Sequence, residues 1–139
     1  KGYRSRRTGG VVDAGKLGFV SDSVIQELGW DEDTEEELRL AIETHTGHEM
    51  VDGEVGDVVD GVILWWREDD GDLTDGLLDA LQDLAEGGFV WLLTPKVGQS
   101  GHISGADIGE AAPIAGLSIT TTAAVGPNWV VTKLSTHKG

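Results

Sequence analysis

The sequence predicts a single three-layer α/β domain, a shortened doubly wound sheet that is mainly parallel and closes with an antiparallel hairpin. Two runs, 58–66 and 89–94, are almost continuously apolar, which is typical of strands covered on both faces. Strand-like and helix-like segments alternate along the chain, and this order predicts parallel strands joined by right-handed helical crossovers. The last two strand-like segments flank Gly126, Pro127 and Asn128, whose turn composition predicts the hairpin.

The first element is a strand predicted over 24–30, and a helix is predicted to follow over 31–46. Thr34 and Glu37 have the spacing of a capping box, and acidic side chains crowd the first turn, where the helix dipole favours negative charge. Gly47 is the kind of residue that commonly ends a helix. These signals predict a helix that begins immediately after the first strand.

The second helix is predicted over 72–86, because leucines fall on one side of it while Asp75, Asp79 and Asp83 follow one another at four-residue steps. These carboxylates repel one another mildly, and a basic partner would offset that cost. A solvated helix face is nevertheless the favoured interpretation. The remaining predicted elements are strands over 49–51, 58–66, 89–94, 117–125 and 129–134 and a helix over 106–115.

Length and composition limit the class of protein. The chain has 139 residues, 39% of them hydrophobic, and no cysteine, so we expect one domain with an ordinary apolar core and no thiol chemistry. No stretch approaches the roughly 18 consecutive apolar residues of a membrane span, and no apolar segment near the start resembles a secretory signal. We therefore expect a cytoplasmic protein with a basic N-terminal arm over 1–15 and the α/β domain over 16–139.

Charge is distributed unevenly along the chain. It carries 25 acidic and 10 basic side chains, a net charge of −15, and 23 of the acidic ones lie between positions 13 and 93. A body this negative repels phosphate backbones, so we do not expect the domain to bind nucleic acid. The arm is the exception, because Arg4, Arg6 and Arg7 are positively charged. We predict a protein partner. The arm itself is interpreted as a flexible, disordered tail, and the alternative is that it docks on an acidic partner, on RNA or on the acidic face of this domain.

Loops at the ends of the predicted strands contain the candidate ligand-binding residues. In open parallel sheets, ligands bind beyond the carboxyl ends of the strands, near the point where the strand order reverses. The loops 30–33, 66–70 and 94–102 are predicted to meet there. Arg67 and Lys96 would bind an anion if they lay together at the edge of the sheet, although pairing with neighbouring carboxylates is the favoured interpretation. The candidate ligand-binding residues are Asp31, Asp33, Trp66, Arg67, Lys96 and His102.

No recognisable catalytic arrangement accompanies these residues. His102 has no identified acid or nucleophile partner, so we interpret it as a polar loop residue rather than a general base. His45 and His48 lack a third metal ligand, and the acidic run around Gly71 does not fit a calcium loop. Trp65 and Trp66 are adjacent in a strand and are therefore predicted to point to opposite faces. The sequence thus predicts no catalytic residues and no metal.

Five long segments carry a resemblance to a known family. They are VIQELGWDEDTEEELRLAIE, DVVDGVILWWREDDGDLTDGLLDAL, FVWLLTPKVGQSGHI, EAAPIAGL and NWVVTKL. Over residues 16–138 they resemble the actinobacterial family called domain of unknown function 3052, a family of small, uncharacterised proteins. The predicted order of elements in turn resembles the class I methyltransferase variant of the doubly wound fold, shortened by at least one strand-helix unit.

Adenosylmethionine and dinucleotide sites in such folds need a glycine turn after the first strand, so that backbone N–H groups can approach the ligand. At that place this chain has Gly29 followed by Trp30, Asp31, Glu32 and Asp33. The carboxylates would repel phosphate, whereas the cationic sulfonium of S-adenosylmethionine tolerates them.

Two hypotheses follow for the function. The first is a non-catalytic binding or regulatory module that acts through protein partners and uses no cofactor, with Arg4, Arg6, Arg7, Asp75, Asp79 and Asp83 as candidate partner-binding residues. The alternative is a small-molecule sensor or an enzyme that uses the crevice at the strand ends, with S-adenosylmethionine as its cofactor. Saturable turnover of a substrate would contradict the first hypothesis.

Overall fold

The structure, a computed structural model, describes residues 15–52 and 58–136. In chain order its elements are β1 (Ile25–Leu28), α1 (Glu36–Thr46), β2 (Val59–Trp65), a 3-10 turn (Glu68–Asp70), α2 (Leu73–Ala80), β3 (Leu84–Pro95), α3 (Gly105–Ile114), β4 (Leu117–Val125) and β5 (Trp129–Thr136).

The strands form one mixed sheet in the order β1-β2-β3-β5-β4. The strands β1, β2 and β3 are parallel, whereas β5 is antiparallel to both of its neighbours, β3 and β4. The hairpin of β4 and β5 is inserted so that its second strand lies next to β3. This mixed sheet confirms the predicted shortened doubly wound α/β fold with a terminal antiparallel hairpin.

The strand order reverses at β1. Val51 forms an isolated parallel bridge with Gln26 on the edge of β1 that faces away from β2. Its backbone N–H donates to Ile25, and its carbonyl accepts from Glu27. The chain therefore reaches one side of β1 after α1 and then returns to the other side at β2. The strand predicted over 49–51 is reduced to this single bridge. Because the strand order reverses at β1, the crevice between the carboxyl ends of β1 and β2 is the switch point of the sheet.

The sheet separates two apolar layers. The layer beneath α2 and α3 includes Val62 and Leu64, and the opposite layer, beneath α1, includes Ile63 and Trp65. This alternation follows the two-residue period of a strand covered on both faces. Trp66 packs against the first layer and Trp65 lies in the second, so the two tryptophans point to opposite faces as predicted.

The first helix begins five residues later than predicted, at Glu36. Thr34 does not cap it, because its hydroxyl donates back to the carbonyl of Asp31 at 2.9 Å and its backbone N–H donates to the same oxygen at 3.2 Å. The N-cap is Glu35, which makes no side-chain capping bond. Short-range turn bonds of this kind compete with helix formation at threonine and aspartate. The predicted capping box is therefore wrong, and acidic residues 31–35 form a loop at the switch point.

The second helix is shorter than predicted and ends at Ala80. Asp72 caps it by accepting from the Thr74 N–H at 3.0 Å. Beyond the helix the chain must join the sheet, because the Val59 N–H donates to the carbonyl of Asp83 at 2.8 Å. The prediction that Asp83 continues a helical acidic stripe is therefore wrong.

In the ranges 15–52 and 58–136, the structure contains no helix long and apolar enough to cross a membrane.

Candidate functional site

Two acidic loops meet at the switch point of the sheet. The loop 29–35 follows β1, and the loop 66–72 follows β2. Gly29 has a φ of 79° and lies so close to the backbone carbonyl of Trp65 that any side chain there would collide with it. The first loop therefore passes directly over the end of β2, which is the position where doubly wound folds bind their ligands.

The guanidinium of Arg67 occupies this crevice. Its Nε and Nη2 bind the two carboxylate oxygens of Asp33 at 3.2 and 2.5 Å, and its Nη1 donates to the carbonyl of Gly29 at 2.9 Å. A weaker contact of 3.4 Å joins Nη1 to Asp70. The Arg67 side chain is only 13% exposed. Bidentate pairing of this kind fixes both partners in one geometry, so Arg67 connects the two loops across the switch point.

The backbone and surroundings of Arg67 are fixed as well. The carboxylate of Asp70 accepts from the Arg67 N–H at 2.8 Å. The indole N–H of Trp129 donates to the carbonyl of Asp33 at 2.9 Å, and the guanidinium lies 5.4 Å from the centre of the Trp129 ring. Burial by itself lowers the pKa of Arg67, but the hydrogen bond and charge of Asp33 outweigh it, so the pKa is raised. Arg67 is therefore a permanently charged group, and each of its three nitrogens donates a hydrogen bond within the site.

The third predicted loop, 94–102, contacts this centre through its backbone. The Glu68 N–H donates to the carbonyl of Gly101 at 2.9 Å, and a side chain at Gly101 would press on the Cβ of Arg67. The Nδ1 of His102 lies 2.9 Å from the carbonyl of Pro95. Because a carbonyl only accepts, this nitrogen carries a proton, and the ring is engaged within its own loop.

Lys96 directly follows β3 and is held there through its backbone. Its backbone N–H donates to the carbonyl of Asn128, which ties the loop to the β4–β5 hairpin. No ion pair within 4.0 Å links the Lys96 side chain to a carboxylate among the residues that the structure describes. The structure thus brings Asp33 and Arg67 together, and it does not show Lys96 and Arg67 sharing a site.

Trp66 fills a groove beside α2. A Cβ at Gly76 would lie 2.8 Å from the six-membered ring of Trp66, so the absence of a side chain at Gly76 lets the ring lie against the helix. The indole N–H of Trp66 is buried and has no hydrogen-bond partner among the described residues. Trp66 therefore packs between β2 and α2 and contributes its ring to the fold.

Exposed carboxylates surround the Arg67 centre. Trp30, which is 52% exposed, stands beside them at the end of β1, with the guanidinium of Arg39 at 5.8 Å from its ring. Arg67 is the one basic residue within the two loops 29–35 and 66–72. We call the exposed carboxylates of these loops, apart from the helix cap Asp72, the acidic rim: Asp31, Glu32, Asp33, Glu68, Asp69 and Asp70. The rim presents negative charge and one large aromatic side chain to solvent.

The predicted partner-binding residues are dispersed. Asp75 and Asp79 are exposed on α2. The carboxylate of Asp83 instead lies 3.4 Å from the buried side-chain amide of Gln26, which donates to it. The arm residues Arg4, Arg6 and Arg7 lie outside the described residues.

Three residues of the site were missed by sequence reasoning: Glu27, Arg39 and Trp129. The Glu27 carboxylate accepts from Arg39 and from the indole N–H of Trp65, and it stands directly before the loop of the switch point. A carboxylate within a short strand that is predicted to be buried is the signal that could have identified Glu27. No sequence signal connects Trp129 with Asp33, which is 96 residues away.

The sequence has relatives of known family. Residues 14–138 match the model of the family described as "Protein of unknown function (DUF3052)". Uncharacterised proteins of Mycobacterium bovis and Mycobacterium tuberculosis are 51% identical over 121 residues, which are 87% of this chain and 76% of theirs.

Solved structures of methyltransferases have a similar fold. An O-methyltransferase of neocarzinostatin biosynthesis in complex with S-adenosylhomocysteine superposes with a TM-score of 0.62 at 14% identity, over 84% of this chain and 50% of that one. This chain therefore spans half the length of that enzyme. A methyltransferase of Aquifex aeolicus superposes with a TM-score of 0.59 at 12% identity, over 88% of this chain and 86% of that one. The magnesium protoporphyrin IX methyltransferase of Synechocystis with bound S-adenosylmethionine superposes with a TM-score of 0.55 at 10% identity, over 89% of this chain and 74% of that one. At these identities the likeness establishes the fold: a shortened, methyltransferase-like α/β sheet.

Proposed function

This chain belongs to the DUF3052 family of proteins of unknown function, and we propose that it is a non-catalytic binding or regulatory module that acts through a protein partner. The observation that carries the proposal is the Arg67–Asp33 ion pair in the crevice of the switch point. Two of the structural neighbours hold S-adenosylhomocysteine or S-adenosylmethionine. In this chain, the corresponding end of the sheet is filled by its own side chains.

The crevice is a poor site for an adenosyl ligand. Opening it would separate the bidentate pair between the 13%-exposed Arg67 side chain and the 56%-exposed Asp33 carboxylate, and the guanidinium would lose its main partner. The loop after β1 also carries carboxylates at Asp31 and Asp33, where a cofactor site needs glycine backbone. Both features support the proposal that this chain has a methyltransferase-like sheet but a closed crevice at the place where a cofactor would bind.

The acidic rim supports a basic partner. Its carboxylates flank a half-exposed Trp30, and a lysine or arginine side chain would gain both ion pairing and a cation–π contact there. Charge complementarity of this kind mainly speeds association and selects partners. We therefore propose a protein segment rich in lysine and arginine as the bound partner.

The first experiment measures S-adenosylhomocysteine binding to the full chain by isothermal titration calorimetry. The proposal predicts no saturable heat at millimolar ligand. Stoichiometric binding would overturn it in favour of the alternative, a small-molecule sensor or enzyme that uses S-adenosylmethionine at the strand ends.

The second experiment tests the partner. A photo-cross-linking amino acid replaces Asp69 on the acidic rim or, as a control, the exposed Thr122 on β4. In the cells that make the protein, we expect one partner to cross-link from position 69 through a basic segment, and not from position 122. Replacing Glu32 by Lys should abolish that product. The same products from both positions would overturn the proposal that the rim binds the partner.

A further inference from the structure

A cavity opens at the amino ends of β1, β2 and β3, at the opposite end of the sheet from Arg67. Its volume is about 410 Å³, which lies within the range of small-molecule sites. One wall is the segment 18–23, which precedes β1, and the other is the segment 85–89 at the start of β3. This cavity is separate from the switch-point crevice that the Arg67 guanidinium occupies.

The cavity has a rigid aromatic wall. Phe89 and Trp91 line it together with the aliphatic Val20 and Ile25. Trp91 is held in place by Phe19, whose ring stacks on it with 3.9 Å between ring centres. Its indole N–H donates to the carbonyl of Leu17 at 2.8 Å. Because Trp91 is only 2% exposed, the half-buried Phe89 and the exposed Val20 provide most of the apolar surface that a flat group can reach.

The charged groups that line the cavity are all carboxylates: Asp22, Asp60 and Glu86. One oxygen of Asp60 accepts from the Val24 N–H at 2.8 Å, which holds this carboxylate against the cavity wall. Basic side chains of the described residues lie nearby, and the Nε2 of His48 is 3.9 Å from the Asp22 carboxylate. The Lys133 ammonium packs on the Phe89 ring, 4.0 Å from its centre, but Lys133 does not line the cavity. The charged side chains that line the cavity are therefore all negative.

We propose that this cavity binds an organic cation, a protonated amine or a guanidinium carried on a flat apolar body. The body would lie against the aromatic wall, and the positive group would be attracted by the three carboxylates. Apolar surface with a few placed charged groups is the usual composition of a ligand site. This site is separate from the acidic rim, so it goes beyond the proposed partner-binding function.

The test is an NMR titration of the full, uniformly 15N-labelled chain with two probes of the same ring and opposite charge. Tryptamine carries an ammonium, and indole-3-propionate carries a carboxylate. We expect tryptamine to cause saturable shifts of the Ser21, Ser23 and Gly87 amides and of the Trp91 indole N–H, with no saturable shift by indole-3-propionate. Glu86→Gln and Asp22→Asn should each weaken tryptamine binding about two- to fivefold, and Asn tolerates the positive φ of 68° at position 22.

Asp79→Asn on the exposed face of α2 is the matched control and should leave the affinity unchanged. Equal shifts from both probes would overturn the proposal, because the carboxylates would then not select the ligand. Shifts that avoid the four reporter groups, or an affinity that neither cavity variant alters, would overturn it as well.

Discussion

The indole N–H of Trp65 donates to the carboxylate of Glu27 at 2.9 Å, across the 38 residues that separate β1 from the end of β2. The same carboxylate accepts from the Nε and Nη2 of Arg39 on α1 at 2.7 and 2.8 Å. The Glu27 side chain is only 8% exposed. Its hydrogen bonds raise the pKa of Arg39 against the opposing effect of burial. One carboxylate thus joins both strands of the switch point to the helix that covers them.

Glu27→Gln should lower the free energy of unfolding by about 1–3 kcal/mol, because it leaves Arg39 and Trp65 with a weaker acceptor in a buried place. Urea denaturation measures this. The matched control is Glu36→Gln, since Glu36 also binds Arg39, at 3.0 Å, but is 61% exposed. The control should cost at most about 1 kcal/mol. Equal losses in the two variants would show that the Glu27 contact contributes no more than a surface ion pair.

Arg67→Ala should also destabilise the fold, by about 1–3 kcal/mol, because it removes the bonds to Gly29, Asp33 and Asp70 and the contact with Trp129. Arg67→Lys should recover little of the loss, since an ammonium cannot pair bidentately. Lys96→Ala, which removes the other cation at these strand ends, should change stability by less than about 0.5 kcal/mol. Thermal and urea unfolding of the three variants test this, and a stable Arg67→Ala protein would contradict the proposed closure of the crevice.

The sheet could be predicted from the sequence because strand signals are local. The apolar runs of β2 and β3 and the turn at Gly126 are sufficient for the parallel centre and the hairpin. Element ends depend on distant groups. The second helix ends at Ala80 because the following residues pair with Val59, and periodicity within the helix contains no information about that partner.

The sequence could predict which loops lie at the candidate site, but not which residues in those loops contact each other. The prediction of neighbouring parallel strands placed the loops containing Asp33 and Arg67 at the same edge of the sheet, where the structure has them. The identity of the pair could not be read from the sequence, because Arg67 has several acidic neighbours and the chosen one lies 34 residues away. Thr34 donates to the carbonyl of Asp31, and the turn that this bond closes places Asp33 opposite Arg67. The start of a helix would have nearly the same amino-acid composition as this turn, so the two structures compete for the same residues.

Two glycines within helices should respond oppositely to alanine. Gly76→Ala places a Cβ at 2.8 Å from the Trp66 ring and should destabilise the protein by about 1–3 kcal/mol. Gly109 in α3 has open space around its Cα, so Gly109→Ala should stabilise by about 0.5–1 kcal/mol through helix propensity. Urea denaturation measures both changes. Adding Trp66→Leu to Gly76→Ala should recover part of the loss if the ring is the cause, and a fully additive double variant would exclude that contact as the reason.

Lys133 should make the stability depend on alkaline pH. Burial lowers the pKa of its ammonium from the ordinary value of 10.5, so the unfolded chain binds this proton more tightly than the folded one. Below the lowered pKa, Lys133 is protonated in both states, and the folded state bears the full cost of burying the charge. Between that pKa and 10.5, the unfolded state holds more protons than the folded one, so the free energy of unfolding rises with pH. The difference in unfolding free energy between the wild type and Lys133→Met should therefore be flat near neutrality and shift in favour of the wild type as the pH approaches 10.5. Urea denaturation at a series of pH values measures it, and a shift in favour of Lys133→Met would mean that attraction to the Phe89 ring outweighs burial.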